Sequence, residues 1–175
     1  ADTNNVAMFT MRVNPPDLTV TNVTVSADTA WSGTEIAVSY TVVNTDGGAA
    51  YYQEYTNPKV KDRIYYGTSP NSYADGTATL IRTYEYDDGF SLGAGAQRTY
   101  TRTVTIPDGA QGPGYIFVEC NSGETLFENG RTNNNMGASD EMFALLSPWP
   151  DIHVTRLAVP ELTTLGGRFT FVYSV

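Results

Sequence analysis

The chain nearly repeats itself. Pro16-Asp17-Leu18-Thr19-Val20-Thr21-Asn22-Val23-Thr24-Val25 returns 134 residues later as Pro150-Asp151-Ile152-His153-Val154-Thr155-Arg156-Leu157-Ala158-Val159. Solenoid units recur every ~20–50 residues, so a period of this size marks a tandem array of globular modules. With one residue deleted the match continues, Gly33, Ile36, Val38, Tyr40 and Val42 finding counterparts in Gly166, Phe169, Phe171, Tyr173 and Val175. Upstream, Asn4-Asn5 followed by Met8, Phe9 and Met11 is similar to Asn134-Asn135 followed by Met142, Phe143 and Leu145. Three pieces are therefore expected. Residues 1–14 are the last strand of a preceding repeat, 15–147 a complete module, and 148–175 the opening strands of a following repeat.

Within the complete module, alternating apolar segments at 18–25, 35–44, 63–66, 80–85, 99–106, 115–120 and 141–146 read as strands. Turn chemistry separates them, as in Asp46-Gly47-Gly48, Asp75-Gly76, Asp88-Gly89, Pro107-Asp108-Gly109 and Asn129-Gly130. No stretch keeps the 3.6-residue apolar period of a helix. The pattern predicts an all-β, two-sheet sandwich with Greek-key connections, its core anchored by Tyr40, Val42, Ile106, Ile116 and Val118. Pro148-Trp149-Pro150 reads as a stiff joint between modules, with Trp149 wedged between neighbours.

Apolar residues make up 41% of the chain, enough for a core, and a net charge of −9 argues against nucleic acid or an anionic membrane as partner. No apolar run reaches the ~18 residues of a membrane span. The single cysteine, Cys120, shares a face with Ile116 and Val118 and is expected to be buried; alone, it excludes an internal disulfide.

The opening Pro16-Asp17-Leu18-Thr19-Val20, the strand 36–44, Asp62-Arg63-Ile64-Tyr65-Tyr66, and the exit Val118-Glu119-Cys120-Asn121 with Glu128 and Asn133-Asn134-Asn135 resemble the CARDB domain. That family is the immunoglobulin-like module of bacterial cell-adhesion-related proteins. The resemblance implies an immunoglobulin-like sandwich, an extracellular or cell-surface setting, modular architecture, and no defined catalytic residues. Two departures stand out. Cys120-Asn121 occupies a strand end that usually leads to an aspartate, and a Tyr-rich insertion fills 49–61.

Catalytic constellations are nearly absent: the one histidine, His153, stands where the first copy has Thr19, as an exposed strand position would. Calcium, which needs six to eight oxygens, has candidates in Asp87 and Asp88, and in Asn121, Glu124 and Glu128 beside the Asn133–Asn135 run. Asparagines in such loops also serve local turns. Tyr51, Tyr52 and Tyr55 form either a contact surface, with surface glycans as one class of partner, or padding against a sheet. Met8, Phe9 and Met11 at one end and Phe169, Phe171 and Tyr173 at the other are complementary parts of one sandwich. They point to neighbouring copies as partners, in the same chain or by head-to-tail strand addition. The sequence thus predicts a structural or adhesive repeat of a large surface or filament protein. The alternative is a non-catalytic carbohydrate-binding module of an exported enzyme.

Overall fold

A computed structural model of the chain describes residues 8, 10, 14–52, 58–148, 153–158, 165–168 and 170–174. Its strands are β1 (Leu18–Val25), β2 (Thr29–Trp31), β3 (Glu35–Asn44), β4 (Ala50–Tyr52), β5 (Lys61–Gly67), β6 (Thr79–Glu85) and β7 (Phe90–Leu92). They continue as β8 (Gln97–Thr105), β9 (Gly112–Glu119), β10 (Met136–Ala138), β11 (Met142–Leu145), β12 (Arg156–Ala158) and β13 (Val172–Ser174). One sheet runs β1-β3-β8. The other runs β2-β11-β9-β5-β6, with β10 also paired to β9. The small pairs β4-β7 and β12-β13 stand apart from both.

Alternation decides which side chains fill the space between the sheets. Along β3, Ile36, Val38, Tyr40, Val42 and Asn44 are buried, while Glu35 is exposed. Ile106, Ile116 and Val118 are likewise fully buried, as the sequence pattern requires, and so is the Cys120 thiol. Each large aliphatic side chain removed from water contributes about 1.5–3 kcal/mol. Phe117 is buried on the opposite face of β9, covered by Tyr73 at 6.0 Å between ring centroids.

In β1 the inward parity switches midway. Leu18 and Val20 face the core, then a bulge sets Asn22 and Val23 together against Tyr40, and Val23 becomes the buried residue. Asn22 takes φ +52°, a left-handed conformation asparagine tolerates better than most side chains. Gly137 in β10 permits close packing on this strand, because a Cβ there would lie 2.8 Å from Val20 Cγ1.

The strands at 18–25 and 35–44 match the sequence reading to the residue, and 63–66, 80–85, 99–106, 115–120 and 141–146 match β5, β6, β8, β9 and β11 within a few positions. Four short strands, β2, β4, β7 and β10, carry only three residues each, too few for alternation to register. In the tail, β12 pairs with β13 antiparallel: Arg156 faces Ser174, Leu157 faces Tyr173 and Ala158 faces Val172.

Candidate functional site

Three groups of polar contacts tie the sandwich together: one where the chain enters it, one across the core and one where the chain leaves. The entry group is built on Glu128, whose side chain is 2% exposed. Its Oε2 accepts the Leu18 backbone N–H at 2.7 Å, and its Oε1 accepts Nδ2 of Asn121 at 2.6 Å and of Asn135 at 2.7 Å. Asn121, at φ +48°, also closes its own loop, its amide exchanging hydrogen bonds with both backbone groups of Leu126 at 2.9 Å. Buried amide and carboxyl groups are stable only when paired in this way.

Around Glu128, the turn at Thr132–Asn134 grips the first residues of β1. Asn134 Nδ2 donates to Asp17 Oδ1 and Thr19 Oγ1, both at 3.0 Å. The Arg131 guanidinium donates to the Pro15 carbonyl at 3.2 Å and pairs with Asp46. Asn44 completes the grip: its Oδ1 accepts the Asp17 N–H at 3.2 Å while its Nδ2 reaches the Gly48 carbonyl at 2.7 Å.

Across the core, Asp62 of β5 is 1% exposed, and its Oδ2 accepts the hydroxyls of Tyr40 at 2.6 Å and Tyr86 at 2.5 Å. The first of these bonds joins the two sheets. Burial raises the Asp62 carboxyl above its ordinary range, against the two tyrosine hydrogen bonds and the Arg102 charge, which pull it down. Burial, reinforced by Asp62, raises both tyrosines, which therefore remain donors. Arg102 of β8 stacks near Tyr84, Tyr100 and Tyr86, with 4.7, 5.2 and 5.8 Å from its guanidinium carbon to the ring centroids. The Tyr84 hydroxyl donates to the Thr103 carbonyl, so the sandwich edge between β6 and β8 is closed by aromatic rings around a cation.

At the exit, β11 runs parallel to β2, with Phe143 opposite Thr29 and Leu145 opposite Trp31. The ladder extends past both strands. Phe143 N–H donates to the Asp28 carbonyl at 2.7 Å, Ser32 N–H to the Leu145 carbonyl at 2.8 Å, and Ser147 N–H to Ser32 Oγ at 2.9 Å. The Ser147 hydroxyl donates in turn to the Ser32 carbonyl.

Of the calcium candidates, Asn121 and Glu128 come together, but in the entry group, with the Glu128 oxygens turned onto three N–H donors that a cation would have to displace. Glu124 is exposed at φ +54°, near Thr132. Asp87 lies elsewhere, paired with Lys59, and Asp88 is exposed. Among the described residues no three His, Cys, Asp or Glu side chains group closely enough to hold a metal ion. The tyrosines of the insertion divide: Tyr51 is 63% exposed and Tyr52 is buried, alternating across β4, and Tyr55 lies outside the described residues. Pro148 is exposed at the exit, whereas Trp149 and Pro150 lie outside the described residues, as do Phe9, Met11 and Phe169. Met8, Phe171 and Tyr173 are all exposed, and so is His153.

The core network escaped the sequence reading, although a signal existed. Asp62 shares its parity with Val60, Ile64 and Tyr66, an acid on the apolar face of a strand, and Arg102 shares the parity of Val104.

No known family model matches the chain, and no curated protein sequence does. Among solved structures, the CARDB domain of the PF1109 protein from Pyrococcus furiosus, in complex with di-metal ions, is similar at 20% identity and a TM-score of 0.49. The match covers 83% of this chain and 100% of that one. The solution structure of the same domain gives 20% identity and a TM-score of 0.50 over 77% of this chain and 100% of that one. The chain therefore has the all-β sandwich fold of the CARDB domain.

Proposed function

We propose that this chain is a non-catalytic structural and adhesive module of a large extracellular surface or filament protein, one of a row of like modules. The observation that carries the reading is the tail hairpin. With the repeat offsets applied, the Ala158–Val172 pair of β12 and β13 is the counterpart of Thr24–Ser39 in β1 and β3. The match holds at that pair alone, because the bulge of β1 puts Thr21 opposite Thr41 where the tail sets Arg156, the counterpart of Asn22, opposite Ser174; among the described residues the apolar side chains of the tail are left uncovered. Val154, Leu157, Phe171 and Tyr173 are 59%, 61%, 55% and 59% exposed, while their counterparts Val20, Val23, Val38 and Tyr40 are 5%, 7%, 0% and 0% exposed. Met8, 93% exposed, likewise answers to Met142, 1% exposed. Exposed strands with bare apolar faces favour pairing with a complementary sheet, which another copy of the module supplies.

The work of such a module is to space and to display. Tyr51, exposed on β4, is open to a partner. The test is the intact mass and assembly state of the native polypeptide, by denaturing electrophoresis and electron microscopy. A polypeptide many times 19.0 kDa, or 19.0 kDa subunits joined in fibres, is the expected result. A native 19.0 kDa monomer that stays monodisperse would overturn the reading.

A further inference from the structure

Entry and exit lie at opposite ends of β3. Leu18 pairs with Asn44 at the far end of that strand, whereas Glu35 at its start pairs with Thr105, beside Gly33, whose N–H donates to the Ile106 carbonyl. Ser32, the residue before Gly33, holds Ser147. Ten residues of β3 therefore separate the two points, roughly 30 Å at strand rise. β1 runs from the entry toward the exit, its Val25 reaching Val38.

Tension between the two ends acts along the strands. It draws β2 backward through β1 and β11 forward through Ser147. Because β2 and β11 are parallel, these pulls are opposed along one axis, and the ladder, with the Asp28, Ser32 and Ser147 bonds that extend it, is strained all at once. A pull across the sheets would instead open the same bonds one after another. At the entry, slippage of β1 has to break the Leu18–Glu128 bond and the Asn134 contacts to Asp17 and Thr19, besides its ladder with β3.

We infer that the module is a directional tension-bearing element, held at its exit by the parallel β2–β11 pair with the Ser32–Ser147 lock and at its entry by Glu128 and Asn134. The inference rests on the array reading, which supplies the tension. It assigns a role to a serine pair and a buried glutamate that packing alone does not require.

The test is single-molecule force spectroscopy on the whole chain, tethered through Asn14→Cys and Pro148→Cys and, for comparison, through Asp108→Cys and Pro148→Cys, both at the exit end. Cys120, 2% exposed, stays unlabelled while the chain is folded. At equal force the folded lifetime along the entry–exit axis is expected to exceed that of the transverse pull by about tenfold or more, since several hydrogen bonds must fail together. Ser32→Ala with Ser147→Ala is expected to shorten the axial lifetime about tenfold and the transverse one less than about twofold. Should that pair fail to fold, Asn134→Ala tests the entry in the same two geometries, with the same asymmetry expected. Equal lifetimes in both directions, or an equal loss in both, would overturn the inference whatever the mass of the native polypeptide. A single-module native polypeptide would remove the array reading while leaving the lifetime ratio as measured.

Discussion

The strand pair β1–β3 and the hairpin β12–β13 are two versions of one pattern with different fates. Both are antiparallel and share the Thr24–Ser39 and Ala158–Val172 counterparts, though β1 carries a bulge that β12 lacks, and among the described residues only the first has a second sheet to face. Antiparallel pairing is thus set locally, by alternation along each strand. Burial is not. Tyr40 is sealed between sheets and bonded to Asp62, while its counterpart Tyr173 stands 59% exposed. Most of the free energy that makes this sandwich lies in what the opposite sheet supplies.

Breaking each version at the same place should therefore give the largest contrast. Tyr40→Ala is expected to cost about 3–5 kcal/mol in chemical denaturation, through cavity formation and loss of the Asp62 bond, whereas Tyr173→Ala should stay within about 0.5 kcal/mol. Similar losses at both positions would mean that the tail is packed after all. Next in size is Glu128→Gln, which turns one of two acceptors into a donor facing donors; about 3 kcal/mol is expected, read from the urea midpoint at constant slope. The same experiment measures what the entry group adds to the β1–β3 strand pair.

Asp62 sharpens the comparison through pH. Its carboxyl is held above the ordinary value of 3.8 mainly by burial, so its favourable contribution is complete below that value and declines as pH rises through the folded one. The groups facing it, Tyr40, Tyr86 and Arg102, keep their protons across that range. Asp62→Asn should flatten the decline in stability above the acid range, measured by urea titration at a series of pH values, and an unchanged profile would assign the dependence elsewhere. Smallest is Arg102→Met, which removes the cation from its tyrosines; about 1 kcal/mol is expected in the same titration.

Much of the fold was legible because strands of seven or more residues carry their own alternation. Cys120 and the anchors from Tyr40 to Val118 could be placed in the core from parity alone. The sites were harder to read. Asn121 and Glu128 stood out as oxygen donors, but their partners, the Leu18 N–H and the Asn135 amide, are brought in by pairing between distant segments. The Ser32–Ser147 lock joins residues 115 apart, neither with a local pattern to mark it. The bulge at Asn22 shifts the inward face of β1 by one residue, which simple alternation cannot anticipate.

In the proposed array the tail hairpin is the start of a sandwich like the first one. Native-state hydrogen exchange on the natural polypeptide, comparing the amides of Leu157 and Tyr173 with those of Val23 and Tyr40, tests this most directly. Protection of the tail pair to the level of the β1–β3 pair is the predicted result, because in the array each hairpin is covered by its own second sheet. Free exchange at Leu157 and Tyr173 beside slow exchange at Val23 and Tyr40 would contradict it.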